Sequence, residues 1–185
     1  MDNTLVLTTL KRAVILGVAS LFPVFANAET ADSRAITDLL KATETHAVLA
    51  QHDAEVLESY TRSKLSWKSH SDRLIKIKEH ANDLIVDFNK LSSMRAEGSQ
   101  WQQEAIDRVN PLLREMSDHL TATINHLNEN QSRVHMPPFA AYARTNREVM
   151  TATSKLISSY VQYGESKARA DALEKDLTLP QVAHE

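Results

Sequence analysis

From about residue 30 onward, apolar residues recur at alternating spacings of three and four, which places them along one stripe of a helix. The first stripe, in a segment spanning about 31–62, runs through Ile36, Leu40, Thr43, Ala47, Ala50, Ala54, Leu57 and Thr61 and is narrow and alanine-rich. The serine-rich stretch 63–71 shifts the phase by one residue and supplies N-cap side chains, so it predicts a tight reversal rather than one continuous helix. A second stripe follows through Trp67, His70, Leu74, Ile77, Ala81, Leu84, Phe88 and Leu91 as far as Met94, with Gly98 closing it as a C-cap or loop glycine.

Ser99 and Gln102 have the spacing of a capping box and open a third segment. Its stripe is Ile106, Val109, Leu113, Met116, Leu120, Thr123, Leu127 and Val134. Pro111 lies inside this run, but the phase passes through it unbroken, which predicts one kinked helix rather than two. Pro137 and Pro138 start the fourth segment where a missing N–H costs nothing. Phe139, Tyr142, Asn146, Val149, Thr153, Leu156, Tyr160 and Tyr163 are its expected inward residues.

Four segments of roughly 30 to 38 residues, each about 45 to 55 Å long, joined by short connections, must pack as antiparallel neighbours. The expected fold is therefore all-α, an antiparallel up-down-up-down four-helix bundle with the third helix kinked at Pro111. A dimer that completes its core between two chains is the rival arrangement. Scarce turn residues argue against sheet, since beyond residue 28 the only glycines are Gly98 and Gly164.

The N-terminus has another character. Lys11 and Arg12 precede an apolar run at 13–25, and Ala26 and Ala28 are small residues suited to signal peptidase. The run is shorter than the roughly 20 residues a spanning helix needs, so residues 1–28 are expected to be a cleavable signal peptide. Residues 29–177 would then form the bundle domain and 178–185 a disordered tail, in a periplasmic or secreted protein with no membrane span after cleavage. The chain has no cysteine. A disulfide, an N-terminal lipid anchor and covalently attached haem are thereby excluded, leaving the core as the source of stability. Removing Lys11, Arg12 and Asp2 leaves 19 basic and 23 acidic residues, net −4. Mild acidity with interspersed signs argues against a nucleic-acid partner.

Catalytic motifs are lacking. The chain has no paired Glu-x-x-His elements for a di-iron centre, no H-E-x-x-H, no G-x-S-x-G and no P-loop. The histidine pairings along single helices, His80 with Asp83, Glu115 with His119 and His119 with His126, arise readily by chance in a helical chain of this composition. No metal or other cofactor is therefore called for. One constellation stands apart: folding the helices back at their loops brings Tyr60 or Thr61, His70, Thr123 and Asn146 to about one layer. All but Tyr60 occupy inward positions, and the buried imidazole and carboxamide are expected to bond one another. A register-fixing polar layer is the plainer reading; a ligand or proton-sensing pocket is the other. Trp67, Met136 and Phe139 are expected to meet at one end of the bundle, and Trp101 to pack near Met94 at the other.

The strings SWKSHSDRL, WQQEAIDRVNPLL, INHLNENQSRVHMPPF and SSYVQYGESKAR resemble an uncharacterised family of bacterial exported helical proteins, over about residues 46–175. The resemblance implies export and a helical bundle, and transfers no catalytic residue. The L-T-x-x-Q repeats of periplasmic stress-chaperone bundles are absent. Together these observations lead to the expectation of a non-enzymatic exported bundle that meets a protein partner or a second copy of itself, as an interaction, scaffold or envelope-stress module. The competing expectation is a bundle that binds a small ligand or metal, either at the His70 and Asn146 layer or on the His119 and His126 face.

Overall fold

A computed structural model describes residues 31–177. They form four helices, α1 Arg34–Tyr60, α2 Trp67–Ser93, α3 Gln100–Glu129 and α4 Pro137–Leu177, with short 3₁₀ turns at Arg95–Glu97 and Gln131–Arg133. There is no strand among the described residues. The fold is an all-α four-helix bundle. The expected signal peptide and the tail at 178–185 lie outside the described residues.

The caps follow from residue chemistry. Ser33 accepts the Ile36 amide at the start of α1, and its own carbonyl takes the Thr37 amide. Ser66 and Ser99 precede α2 and α3 in extended conformation, and the Ser99 amide donates to Gln102 Oε1 at 3.0 Å. α3 runs unbroken through Pro111, which stands on the exposed face. The Asp107 carbonyl, left without its helical partner by the missing N–H, can turn to water there.

The core takes the stripes of α1, α2 and α3 nearly as the sequence spaces them, with Ile36, Leu57, Ile77, Leu84, Leu91 and Met116 almost wholly enclosed. Thr61, Trp67 and Met94, at or just beyond the ends of α1 and α2, are half-buried. Ala47, Ala50 and Ala54 let α1 approach its neighbours closely. α4 departs from expectation. Its buried residues are Phe139, Ala143, Asn146, Val149, Met150, Thr153, Ser154, Ile157, Val161 and Gly164. Tyr142, Leu156 and Tyr160 flank the seam, and Tyr163 faces outward. The distal half of the helix is thus turned by about one residue, because its inner face must be small enough to accept Trp101. Met136 is exposed rather than gathered with Trp67 and Phe139.

Packing around the bundle is uneven. α1 lies against both α2 and α4, and α3 lies against α4, whereas the α2–α3 side is the most loosely closed. Two surface grooves follow that side. One, of about 430 Å³, has Phe88 and Leu113 in its wall; the other, of about 200 Å³, is lined by Leu74, Ile124 and Leu127.

Candidate functional site

The expected polar layer lies at the end of the bundle where α1 finishes and α4 begins. His70 is fully buried on the first turn of α2, with its Nδ1 2.9 Å from the Ser66 carbonyl oxygen. A carbonyl only accepts, so Nδ1 carries a proton and Nε2 is left enclosed without a hydrogen-bond partner. The rings of Phe139, Tyr60 and His135 stand edge-on to the imidazole, with centroids 5.2, 5.9 and 6.4 Å away. His126 lies 4.7 Å from Tyr142 and stacks on Phe139 at 6.3 Å. This end of the bundle is therefore closed by a cluster of aromatic and imidazole rings.

Asn146 and Thr123 meet across the α3–α4 seam. Asn146 Nδ2 donates to Thr123 Oγ1, to the Tyr142 carbonyl at 3.0 Å and to the His119 carbonyl at 3.2 Å. Its Oδ1 is buried with no partner. The sequence-based layer thus resolves into two pairs, Tyr60 with His70 and Thr123 with Asn146, and no hydrogen bond joins His70 to Asn146. Thr61 belongs to neither pair, because its hydroxyl bonds back to the Glu58 carbonyl at 2.7 Å and serves as the α1 C-cap. His70, Thr123, Asn146 and Thr61 each bond a backbone carbonyl three or four residues earlier in the chain, which takes up polar atoms that could otherwise have joined one layer.

A second polar constellation, which sequence reasoning missed, runs between α1 and α2. His46, Asp53 and Tyr60 follow one another at seven-residue steps on α1, as do Arg73, His80 and Asp87 on α2. The antiparallel register brings them together. Arg73 bonds Asp53 and reaches the Tyr60 hydroxyl at 3.3 Å, His80 Nε2 stands 3.4 Å from Asp53, and His46 Nε2 stands 3.6 Å from Asp87. Asp53 is only 6% exposed, with Arg73 and His80 facing its carboxylate. The hydrogen bond that Arg73 donates to the Tyr60 hydroxyl, opposed by burial and reinforced by the bond and charge of Asp53, holds the guanidinium above its ordinary pKa. Two coincident heptad repeats of polar residues, one on each of two successive helices, were the visible sign. They went unread because each repeat alone looks like a solvated helix face.

The opposite end of the bundle is built round Gln102, which is fully buried. Its Oε1 accepts the amides of Ser33 and Ser99, both at 3.0 Å, and its Nε2 donates to the Ser33 carbonyl at 2.8 Å and to Thr37 Oγ1 at 3.0 Å. Beside it, Trp101 Nε1 donates to Asp32 at 2.7 Å, and Lys167 Nζ lies 3.3 Å from the same carboxylate. Burial pushes the Asp32 carboxyl up, but hydrogen bonds from Ser99 and Trp101 and the bond and charge of Lys167 outweigh it and hold it below its ordinary value. Trp101 packs on Gly164 and against the Tyr163 ring, 5.5 Å away. A Cβ at position 164 would fall 2.7 Å from the indole.

Comparison of the chain with family models, with curated proteins and with solved structures returned no match. Among the described residues, no helix is long and apolar enough to cross a membrane.

Proposed function

We propose that the chain is an exported, non-enzymatic helical bundle that acts by engaging a protein partner or a second copy of itself, as an interaction, scaffold or envelope-stress module. The family of bacterial exported helical proteins that its sequence resembles fits this reading. The observation that carries it is the reach of α4. At 41 residues, against 27, 27 and 30 for the others, it outruns the bundle, and every residue at 168–177 is exposed. Leu173 and Leu177, one turn apart on a single face, are 64% and 86% exposed. Leucines so presented are what a partner helix or groove buries, at roughly 1.5 to 3 kcal/mol per side chain.

The test is a photo-reactive residue placed at Leu173 in cells of the native source, with Val86, exposed on α2, as the control position. Discrete adducts from position 173 alone are expected. Equal labelling from both positions, or saturable turnover of a substrate by the purified mature chain, would overturn the reading. Export itself predicts a mature N-terminus at Glu29, which direct N-terminal sequencing reads.

A second reading has its own observation. His70 Nε2 and Asn146 Oδ1 are two enclosed acceptors without donors, and a small molecule carrying N–H or O–H groups would satisfy them. Native mass spectrometry of protein taken from its own source tests this reading: a mass equal to that of the bare chain removes it.

A further inference from the structure

We propose that His46, His80 and Asp83 form a binding site for a divalent transition-metal ion of the zinc type, spanning the α1–α2 seam. One ligand atom from each of the three lies within 4.8 Å of the other two. His80 and Asp83 are three residues apart and so share a face of α2, while His46 comes from α1 directly across the seam.

Each imidazole has a second carboxylate beside it, outside the trio. A ligating histidine usually directs its other ring nitrogen at a carboxylate, which fixes the tautomer and orients the ring. Here His46 Nε2 faces Asp87 Oδ2 at 3.6 Å, and His80 Nε2 faces Asp53 Oδ2 at 3.4 Å. Asp53 is in turn anchored by Arg73, so the outer carboxylate is itself held in place. A proton on Nε2, the side that faces Asp87, leaves a lone pair on His46 Nδ1. That atom is enclosed, has no hydrogen-bond partner and stands 4.0 Å from Asp83 Oδ2.

The donor set selects the ion. Calcium and magnesium seek oxygen ligands in number, whereas two neutral imidazoles and one carboxylate suit zinc and its neighbours and leave a fourth position for water. Ligand atoms bonded to zinc at about 2.0 to 2.2 Å lie about 3.4 Å apart in a tetrahedron. The trio must therefore draw together slightly. Asp83, whose side chain is more than half exposed, can turn inward without moving the helix. Helical spacing alone puts His80 and Asp83 on one face, whereas His46 joins them only through the α1–α2 register.

Zinc ion alone, titrated calorimetrically into the mature chain, tests the site. One ion per chain is expected, with a dissociation constant in the micromolar range or below, and Tm should rise by about 5 °C at a hundredfold excess over that constant. His46→Ala and His80→Ala should each weaken binding by about 30-fold or more. Asp87→Asn, which removes an outer carboxylate, should weaken it by about tenfold, and His119→Ala should leave it unchanged. Circular dichroism of each variant separates lost binding from lost fold. Ring ¹H–¹⁵N shifts of the unmutated protein give an independent reading, with the zinc response confined to His46 and His80. No binding at millimolar zinc, binding that survives His46→Ala, or shifts centred on His119 or His126 would each overturn the proposal.

Discussion

The two ends of the bundle bury polar side chains by opposite means. Where α3 begins, the Gln102 carboxamide is completely engaged: both lone pairs of Oε1 and both hydrogens of Nε2 have partners within 3.0 Å. Those partners lie at the N-terminal ends of α1 and α3, with Ser33 and Thr37 standing 69 and 65 positions from Gln102 in the chain. Where α4 begins, His70 and Asn146 are as deeply buried, but each keeps one acceptor without a donor. A buried polar group that is fully paired ties elements together, whereas one with spare capacity carries the desolvation cost of the unpaired atom, about 1 to 3 kcal/mol. The first end is thus built as a clamp, whereas the second leaves two buried acceptors, His70 Nε2 and Asn146 Oδ1, without a donor.

Three substitutions sharpen or break that contrast. The largest effect is expected at the clamp: Gln102→Leu strands the Ser33 and Ser99 amides and should lower the unfolding free energy by about 3 kcal/mol, read from urea melts of the purified protein. A loss below about 1 kcal/mol would show that water replaces the carboxamide and that the clamp is weak. Gly164→Ala comes next. Alanine gains about 1 kcal/mol of helix propensity over glycine, but its Cβ would collide with an indole that Asp32 prevents from swinging aside. A net loss of about 1 to 2 kcal/mol is expected, with a changed near-ultraviolet signal from Trp101. The smallest effect has the opposite sign. Replacing His70 and Asn146 together by leucine removes both unpaired acceptors and should raise stability by about 1 kcal/mol with the fold retained. If that double variant melts below the parent, the two ends are alike and the contrast fails.

Legibility in the sequence followed the size of the buried side chains. The stripes of α2 and α3 could be read because large aliphatic residues mark them, from Leu74 to Leu91 and Ile106 to Leu127, and that of α1 because Ile36, Leu40 and Leu57 bracket a run of alanines in the same phase. In α4 the largest apolar rings, Tyr160 and Tyr163, drew the expected seam outward, whereas the true seam runs through Ser154, Ile157, Val161 and Gly164. A glycine looks inert until the tryptophan it admits is known, and Trp101 lies 63 positions earlier in the chain. Gln102 was recognisable as a local capping residue, but its bonds to Ser33 and Thr37 depend on tertiary structure. The polar layer was legible in its membership, with His70, Thr123 and Asn146 buried as expected, but not in its bonding. Which oxygen a short side chain chooses is settled over one helical turn, below the resolution of heptad spacing. The ladder from His46 to Asp87 required the register between two helices, which single-helix patterns do not carry.

The slack closure between α2 and α3 has a mechanical consequence. A ring of four rods with one weak joint opens at that joint, so the least costly excursion from the native state separates these two helices while α1 keeps its grip on α2 and α4. Phe88 and Leu113, side by side in the groove wall, would be the first apolar pair to meet solvent. Such an opening would resemble a book parting along its fore-edge, with the α1 and α4 contacts as the binding.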